Sequence, residues 1–430
     1  MSIILFLRES LYLPQKHKAT KQMPQKHLYT HIKSLYGITT NRPKFKAGKD
    51  MADFKSIENA WLLVAENGTI ENFGEMQIVP EFSGPVTNCY GKLVLPCFVD
   101  SHTHLIHAGS RENEFVDRIK GLTYEQIAQR GGGILNSAAK LNLATENELF
   151  ESAFDRLNQA IALGTGAIEV KSGYGLSLEN ELKMLRVANR LKSVSPIPVK
   201  ITFLGAHALP AEYKTEPDNY IDLIVNEMLP AIAAENMADY MDVFCETNYF
   251  SVAQMERLLD AGWKYNLKPK VHVNQFNSIG AVQSAVNKKA ISVDHLEVMT
   301  DDDFKALKKS ETMPVAVPAC SFFIKIPYAP VRQMIDMGLP VTLATDYNPG
   351  SCPCLSMPFV VSLACINMNL LPEEAFNAAT LNGAAALELQ DDYGSIEIGK
   401  KANLIITKPV ESLNYLPYSF AENCVERVVV

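Results

Sequence analysis

The stretch FVDSHTHLIHAGSRENEF, residues 98–115, places two histidines one residue apart just after an apolar run, with an arginine close behind. In an extended chain alternate side chains share a side, so His102 and His104 can present their imidazoles together. Two imidazoles on one side can share a metal ion. His207 follows PVKITFLGA, His272 sits in PKVHVNQF with Gln275 after it, Asp294 and His295 close ISVDH, and Asp346 closes LPVTLATD. One histidine at the end of an apolar run is ordinarily structural. The bland reading must be repeated independently at His102, His104, His207, His272 and His295, and again for Asp346. Three neutral imidazoles and one carboxylate suit Zn²⁺ or iron and leave a position for water.

Positioning these groups requires elements that repeat. ELFESAFDRLNQAIALG (148–164) puts Leu149, Ala153, Phe154, Leu157 and Ile161 on one helical face and ends at Gly164. AIEVKSGYG reads as a buried strand ending in glycines, and ENELKMLRVANRLKSV (179–194) as the next helix. Strand-like runs then recur with helix-like stretches between most of them, about eight strands in all when FVDSHTH is included. This alternation predicts an α/β fold, an eight-stranded parallel (β/α)8, TIM-like barrel, whose chemistry sits at the C-terminal ends of the strands. Those ends carry, in order, His102 and His104, Tyr174, His207, Glu246, His272 with Gln275, Asp294 with His295, and Asp346 followed by Asn348, Gly350 and Ser351.

Both ends of the chain are β-rich. NAWLLVAENGTIENFG (59–74) reads as a hairpin turning at Asn67-Gly68, KLVLP (92–96) as a strand, and GSIEIGKKANLIIT (394–407) and VERVVV (425–430) as strands with turns between them. Residues 23–97 and 393–430 are therefore expected to form one small β-sandwich domain, with the barrel over 98–392. Residues 1–22 form a basic leader, expected to be disordered or upstream of the true start, with Met23 opening MPQKHLYTHIKSLYGI. The run IILFL is too short to span a bilayer and falls short of a signal-peptide core.

Composition excludes several classes. A net charge of −8 gives no general pull toward nucleic acid or anionic membrane. Eight cysteines scattered over 430 residues do not make a disulfide framework; reduced thiols in a cytoplasmic protein are expected, and Cys352 and Cys354 are a weak metal pair.

The motifs DSHTHLIHAGSRENEF, the GGGI of 131–134, EVKSGYGLSLENELKMLR, TFLGAHALPAEYK, VHVNQF, VDHLE and ATDYNPGS resemble the amidohydrolase superfamily and, within it, the imidazolonepropionase family. The resemblance runs from about residue 59 to the C-terminus. It implies hydrolysis of the cyclic amide C–N bond of 4-imidazolone-5-propanoate to N-formimidoyl-L-glutamate, the third step of histidine degradation. It also implies that His102, His104, His272 and Asp346 hold one Zn²⁺ or Fe³⁺ per subunit, and that Asp346, His295 and Gln275 are catalytic. By the same resemblance Arg111, Tyr174, His207, Gln275, Asn348, Gly350 and Ser351 contact substrate, and the partners are a small-molecule substrate and a second copy in a homodimer. Arg111 has its own physical warrant, because a planar guanidinium grips a carboxylate in bidentate fashion.

One departure from the family bears on mechanism. The family often carries a carboxylate after the strand-five histidine, whereas this chain has His272, Val273, Asn274, Gln275. A deaminase of the superfamily needs Glu at position 275 to protonate its leaving amine, and an amide has no acidic proton near neutral pH. Two-metal cyclic amidases need a lysine at the end of strand four, where MDVFCE offers Glu246. A non-catalytic barrel that binds a metabolite would have lost a metal ligand, and none is missing.

Overall fold

The computed structural model describes residues 25–122, 126–127 and 130–430, so the leader and Met23 lie outside the described residues. Eight parallel strands follow one another around a barrel. They are β6 (Phe98–Asp100), β7 (Thr165–Lys171), β8 (Val199–Ala206), β9 (Tyr240–Cys245), β10 (Lys268–Val273), β11 (Ser292–His295), β12 (Met313–Ala316) and β13 (Thr342–Leu343), each paired with its sequence neighbour. Backbone bonds tie the last strand to the first: His104 N donates to Tyr347 O at 2.8 Å and Asp346 N to His102 O at 3.0 Å. The metal-motif histidines thus lie just past β6, in a segment kept extended by a parallel bridge between Thr103 and Tyr347 rather than by a regular strand.

The helices around the barrel start where the sequence caps them. Thr145 accepts from Glu148 N in a capping box that opens the helix Glu146–Ala162, and Ser177 caps Leu178–Val194. Such a cap contributes about 0.5–2 kcal/mol. The first helix turns Leu149, Ala153, Leu157 and Ile161 into the core, leaving Phe154 half-buried at its margin. Among the described residues no helix is long and apolar enough to cross a membrane.

The two ends of the chain meet in one seven-stranded sheet. Its path is β15 (Val425–Val429), β14 (Leu404–Pro409), β5 (Lys92–Pro96), β1 (His27–Tyr36), β2 (Ser56–Val64) and β3 (Ile70–Glu75), with β4 (Val86–Asn88) also on β1. β2 and β3 form the expected hairpin, with Gly68 at φ +77° in its turn. Strand alternation gives this sheet two apolar faces. Leu93, Leu95, Ile405 and Val428 join the barrel core, while Val94, Leu404, Ile406 and Val429 join a second core with Ile32, Leu35 and Leu62. The strand expected from residue 394 begins only at Leu404. Gly394 and Gly399 take φ values of +85° and +89°, turning the chain so that Ile396 and Lys401 pair with the sheet only as isolated bridges, while the Ile396 side chain stays in the second core.

Candidate active site

His102, His104, His272 and Asp346 converge at the C-terminal end of the barrel, all buried. Nε2 of His104 lies 3.4 Å from Nε2 of His272 and 3.5 Å from Oδ1 of Asp346, and Nε2 of His102 lies 3.4 Å from the same oxygen. Ligand atoms around a tetrahedral ion with bonds of about 2.0–2.1 Å are separated by roughly 3.3–3.4 Å. His102 Nε2 is buried without a partner of hydrogen-bonding geometry. Buried imidazole nitrogens gathered with a carboxylate oxygen at these separations fit a shared cation. His295 stands beside this group: its ring centroid is 5.6 Å from that of His102, and its nitrogen lies within 4.8 Å of ligand atoms of Cys320 and Asp346.

The other ring nitrogens explain the orientation. His102 Nδ1 lies 2.6 Å from Asp294 Oδ2, and His272 Nδ1 lies 2.9 Å from Asp242 Oδ2. Carboxylates in these places favour the Nδ1–H tautomer and leave Nε2 bare for a metal. Burial alone would raise Asp242, yet His272 and Lys171 hold it well below the usual carboxylate range. Burial would likewise raise Asp346, which His102 and His104 hold well below that range. Lys171, Lys270 and Glu169 complete this fully buried charged layer.

Above this floor is a cleft lined by Arg111, Tyr174, His207, Gln275, Asn348 and Ser351 together with His104, His272, His295 and Asp346. Apolar walls come from Ile134, Phe244, Phe276 and Ile324. His207 stacks on His104 at 4.9 Å between centroids, and its Nδ1 lies 2.9 Å from Gly173 O. A carbonyl only accepts, so His207 carries its proton on Nδ1 and offers a bare Nε2. Burial, then the neighbouring His104 and His272, holds it well below the ordinary histidine range, hence neutral. Tyr174 packs 5.3 Å from His207, ring to ring. Gln275 Nε2 points at Cys320 Sγ, 3.7 Å away, while Asn274 turns out of the cavity to Asp303 at φ +56°.

Arg111 is held by its own turn of chain. Its Nε and Nη2 donate to Glu114 Oε2 at 2.8 and 2.6 Å. Glu114 also accepts from Asn136 Nδ2 at 2.9 Å and Gly133 N at 3.2 Å, which accounts for the GGGI motif. Asn348 organises the loop after β13 by accepting from Gly350 N and Ser351 N at 2.9 and 2.7 Å. Gly350 itself supports rather than lines the cavity: its carbonyl accepts from Arg118 and its Cα lies against Arg111. Glu246 likewise holds the segment after β10, accepting from Phe276 N at 2.8 Å.

Sequence reasoning missed Glu297, which lies 3.4 Å from His295 Nδ1 and accepts from Ser321 Oγ at 3.0 Å. Burial lowers His295, but Glu297 and then Asp346 raise it above its ordinary value. His295 also sits at φ +90°, a backbone cost of order 1–3 kcal/mol that persists where the surroundings fix it. Sequence reasoning also missed the layer of Glu169, Lys171, Asp242 and Lys270. Its signal was an ionisable residue inside each otherwise apolar strand. Cys352 donates to Thr345 O at 3.1 Å, and all eight cysteines are free thiols.

A parallel barrel with histidines at the C-terminal ends of its first, fifth and sixth strands and an aspartate after its eighth defines a metal-dependent hydrolase architecture. Residues 93–430 match the amidohydrolase family, and the chain belongs to it. Within that class it belongs to the imidazolonepropionase family. It is 54% identical over 404 residues to the imidazolonepropionase of Flavobacterium johnsoniae, covering 94% of this chain and 98% of that one. It is 40% identical to that of Alkaliphilus metalliredigens, covering 89% and 92%. The fold is shared with a triazine hydrolase variant at a TM-score of 0.72 and 14% identity, covering 94% of this chain and 93% of that one. It is also shared with the guanine deaminase of E. coli at 0.68 and 15%, covering 94% and 97%.

Proposed function

We propose that this protein hydrolyses 4-imidazolone-5-propanoate to N-formimidoyl-L-glutamate in histidine degradation. The observation that carries the reading is one cavity with His104, His272 and Asp346 in its floor, His102 behind them, and a buried, carboxylate-oriented arginine in its wall. His102, His104, His272 and Asp346 would hold one Zn²⁺ or Fe³⁺ per subunit. Such an ion, when bound, brings the pKa of water toward neutrality and polarises a carbonyl.

The remaining roles belong to the chain's own groups. Asp346, kept ionised by its histidine neighbours, accepts the proton of the attacking water. His295, with Glu297 on Nδ1, presents its other nitrogen to the ring carbonyl and moves protons there. Water oxygen bonds to the carbonyl carbon, the ring C–N bond breaks, and the departing nitrogen takes the proton. Gln275 binds the ring but cannot deliver that proton, which must come through Asp346 or His295. Tyr174 and His207 hydrogen-bond the ring, Arg111 takes the propionate, and Asn348, Gly350 and Ser351 shape the loop at the amino-acid end.

Family resemblance supports a homodimer, and the eight free thiols suit the cytoplasm. The deciding experiment pairs elemental analysis of the purified protein with loss of imidazolone propionate absorbance. A fully metallated protein that leaves this substrate untouched would overturn the reading.

A further inference from the structure

Two of the proposed metal-binding imidazoles are oriented by carboxylates with no access to solvent. Asp294 faces His102 Nδ1 and Asp242 faces His272 Nδ1, and both acids are 0% exposed. Buried carboxylates so close together need a cation between them, because neither water nor salt can screen their repulsion. Lys171, from β7, supplies it. Its Nζ lies 2.8 Å from Asp242 Oδ2 and 3.9 Å from Asp294 Oδ2. The second buried lysine, Lys270, also acts on Asp294 through its charge, but its Nζ is held 3.2 Å from Glu169 Oε2 and donates to Ser101 O at 2.9 Å, whereas Lys171 lies against both acids. Glu169 also lies 3.0 Å from Lys171, so it fixes the ammonium from the far side.

We infer that Lys171 is a positioning residue for the metal centre: from beneath the floor it holds both carboxylates that aim His102 and His272, and so sets how tightly the site retains its ion. This rests on the assignment of His102 and His272 as ligands. Asp242 is anchored twice over, since Oδ1 also accepts from His272 N at 3.1 Å, so the β10 backbone and side chain are registered on one carboxylate. Without the Lys171 ammonium only Lys270 offsets the repulsion of the two acids, their contacts with the imidazoles loosen, and the Nε2 atoms lose their common focus. Groups behind metal ligands typically control affinity by about 10- to 100-fold.

The test reads metal affinity of the folded protein, so it does not depend on the substrate. Zn²⁺ is titrated against a competing chelator, with circular dichroism to establish folding, for wild type, Lys171→Met and Glu169→Gln/Lys171→Met. The double variant removes one buried charge of each sign, keeps the net charge of the layer, and guards against a single variant that fails to fold. The inference expects affinity to fall at least about 10-fold in each variant that folds. Wild-type affinity in the folded single or double variant would overturn it; recovery in the double alone would show that net charge matters and the position of Lys171 does not. His102→Ala, measured alongside, separates the two readings: wild-type affinity there would remove the ligand assignment itself.

Discussion

The guanidinium of Arg111 packs against Gly350 so closely that a Cβ at that position would overlap Nη1. The β13 loop and the helix start at Arg111 are therefore fitted to each other at the wall of the cavity. Gly350→Ala should be accommodated by the flexible arginine rather than by the barrel, at the expense of its bonds to Glu114. The expected result is a melting temperature near that of wild type with kcat/KM lowered at least about 10-fold, the cost of one charge-assisted hydrogen bond. Normal turnover in this variant would show that the position of Arg111 is immaterial.

Arg111→Met tests substrate identity directly. The propionate is remote from the breaking bond, so its grip contributes to KM through binding and to kcat through positioning. With charge-assisted bonds contributing about 1.5–3 kcal/mol each, kcat/KM should fall about 10- to 100-fold or more while metal content stays intact. Lysine should rescue only partly, because it keeps the charge and loses the fork. An imidazolone lacking the carboxylate should be a poor substrate for wild type and no worse for the variant. Equal penalties on both substrates would refute propionate recognition by Arg111.

His102→Ala and Asp346→Ala should each strip the metal and reduce turnover to background. Chelator dialysis of wild type should do the same, reversibly on adding Zn²⁺ or iron. A full metal complement with normal rates in both variants would remove the proposed centre.

Gln275→Glu adds a carboxyl group beside Cys320 and the ring site. Metal content should be unchanged, and the pH–rate profile should gain an ionisation absent from wild type, since the amide does not titrate. Superimposable profiles would place residue 275 outside the proton path.

Much of this was legible because barrel strands announce themselves twice, by apolar runs separated by amphipathic helices and by the polar residue that ends each run. His102, His207, His272 and Asp346 could be placed that way before any contact was known. The buried layer could not. Glu169, Lys171, Asp242 and Lys270 lie within their strands, where a charge in an alternating pattern reads equally well as facing outward. Glu114 stood inside the quoted motif, yet only the fold shows its oxygen taking two donors of Arg111. Cys320 and Ser321 follow β12, and their approach to Gln275 and Glu297 depends on ring closure that no local spacing encodes. At residues 394–403 the apolar alternation suggested a strand, and two glycines in left-handed conformations broke it.

Closure of the barrel by Asp346 N on His102 O has a consequence for biosynthesis. The two histidines of the first motif leave the ribosome well before Asp346, whose amide closes the ring on His102. Until that segment has emerged, a nascent chain holds an open half-barrel with an unpaired strand edge. A message cut short before codon 346 yields no weakened enzyme but an unclosed fragment, exposed to chaperones and proteases from the moment it appears.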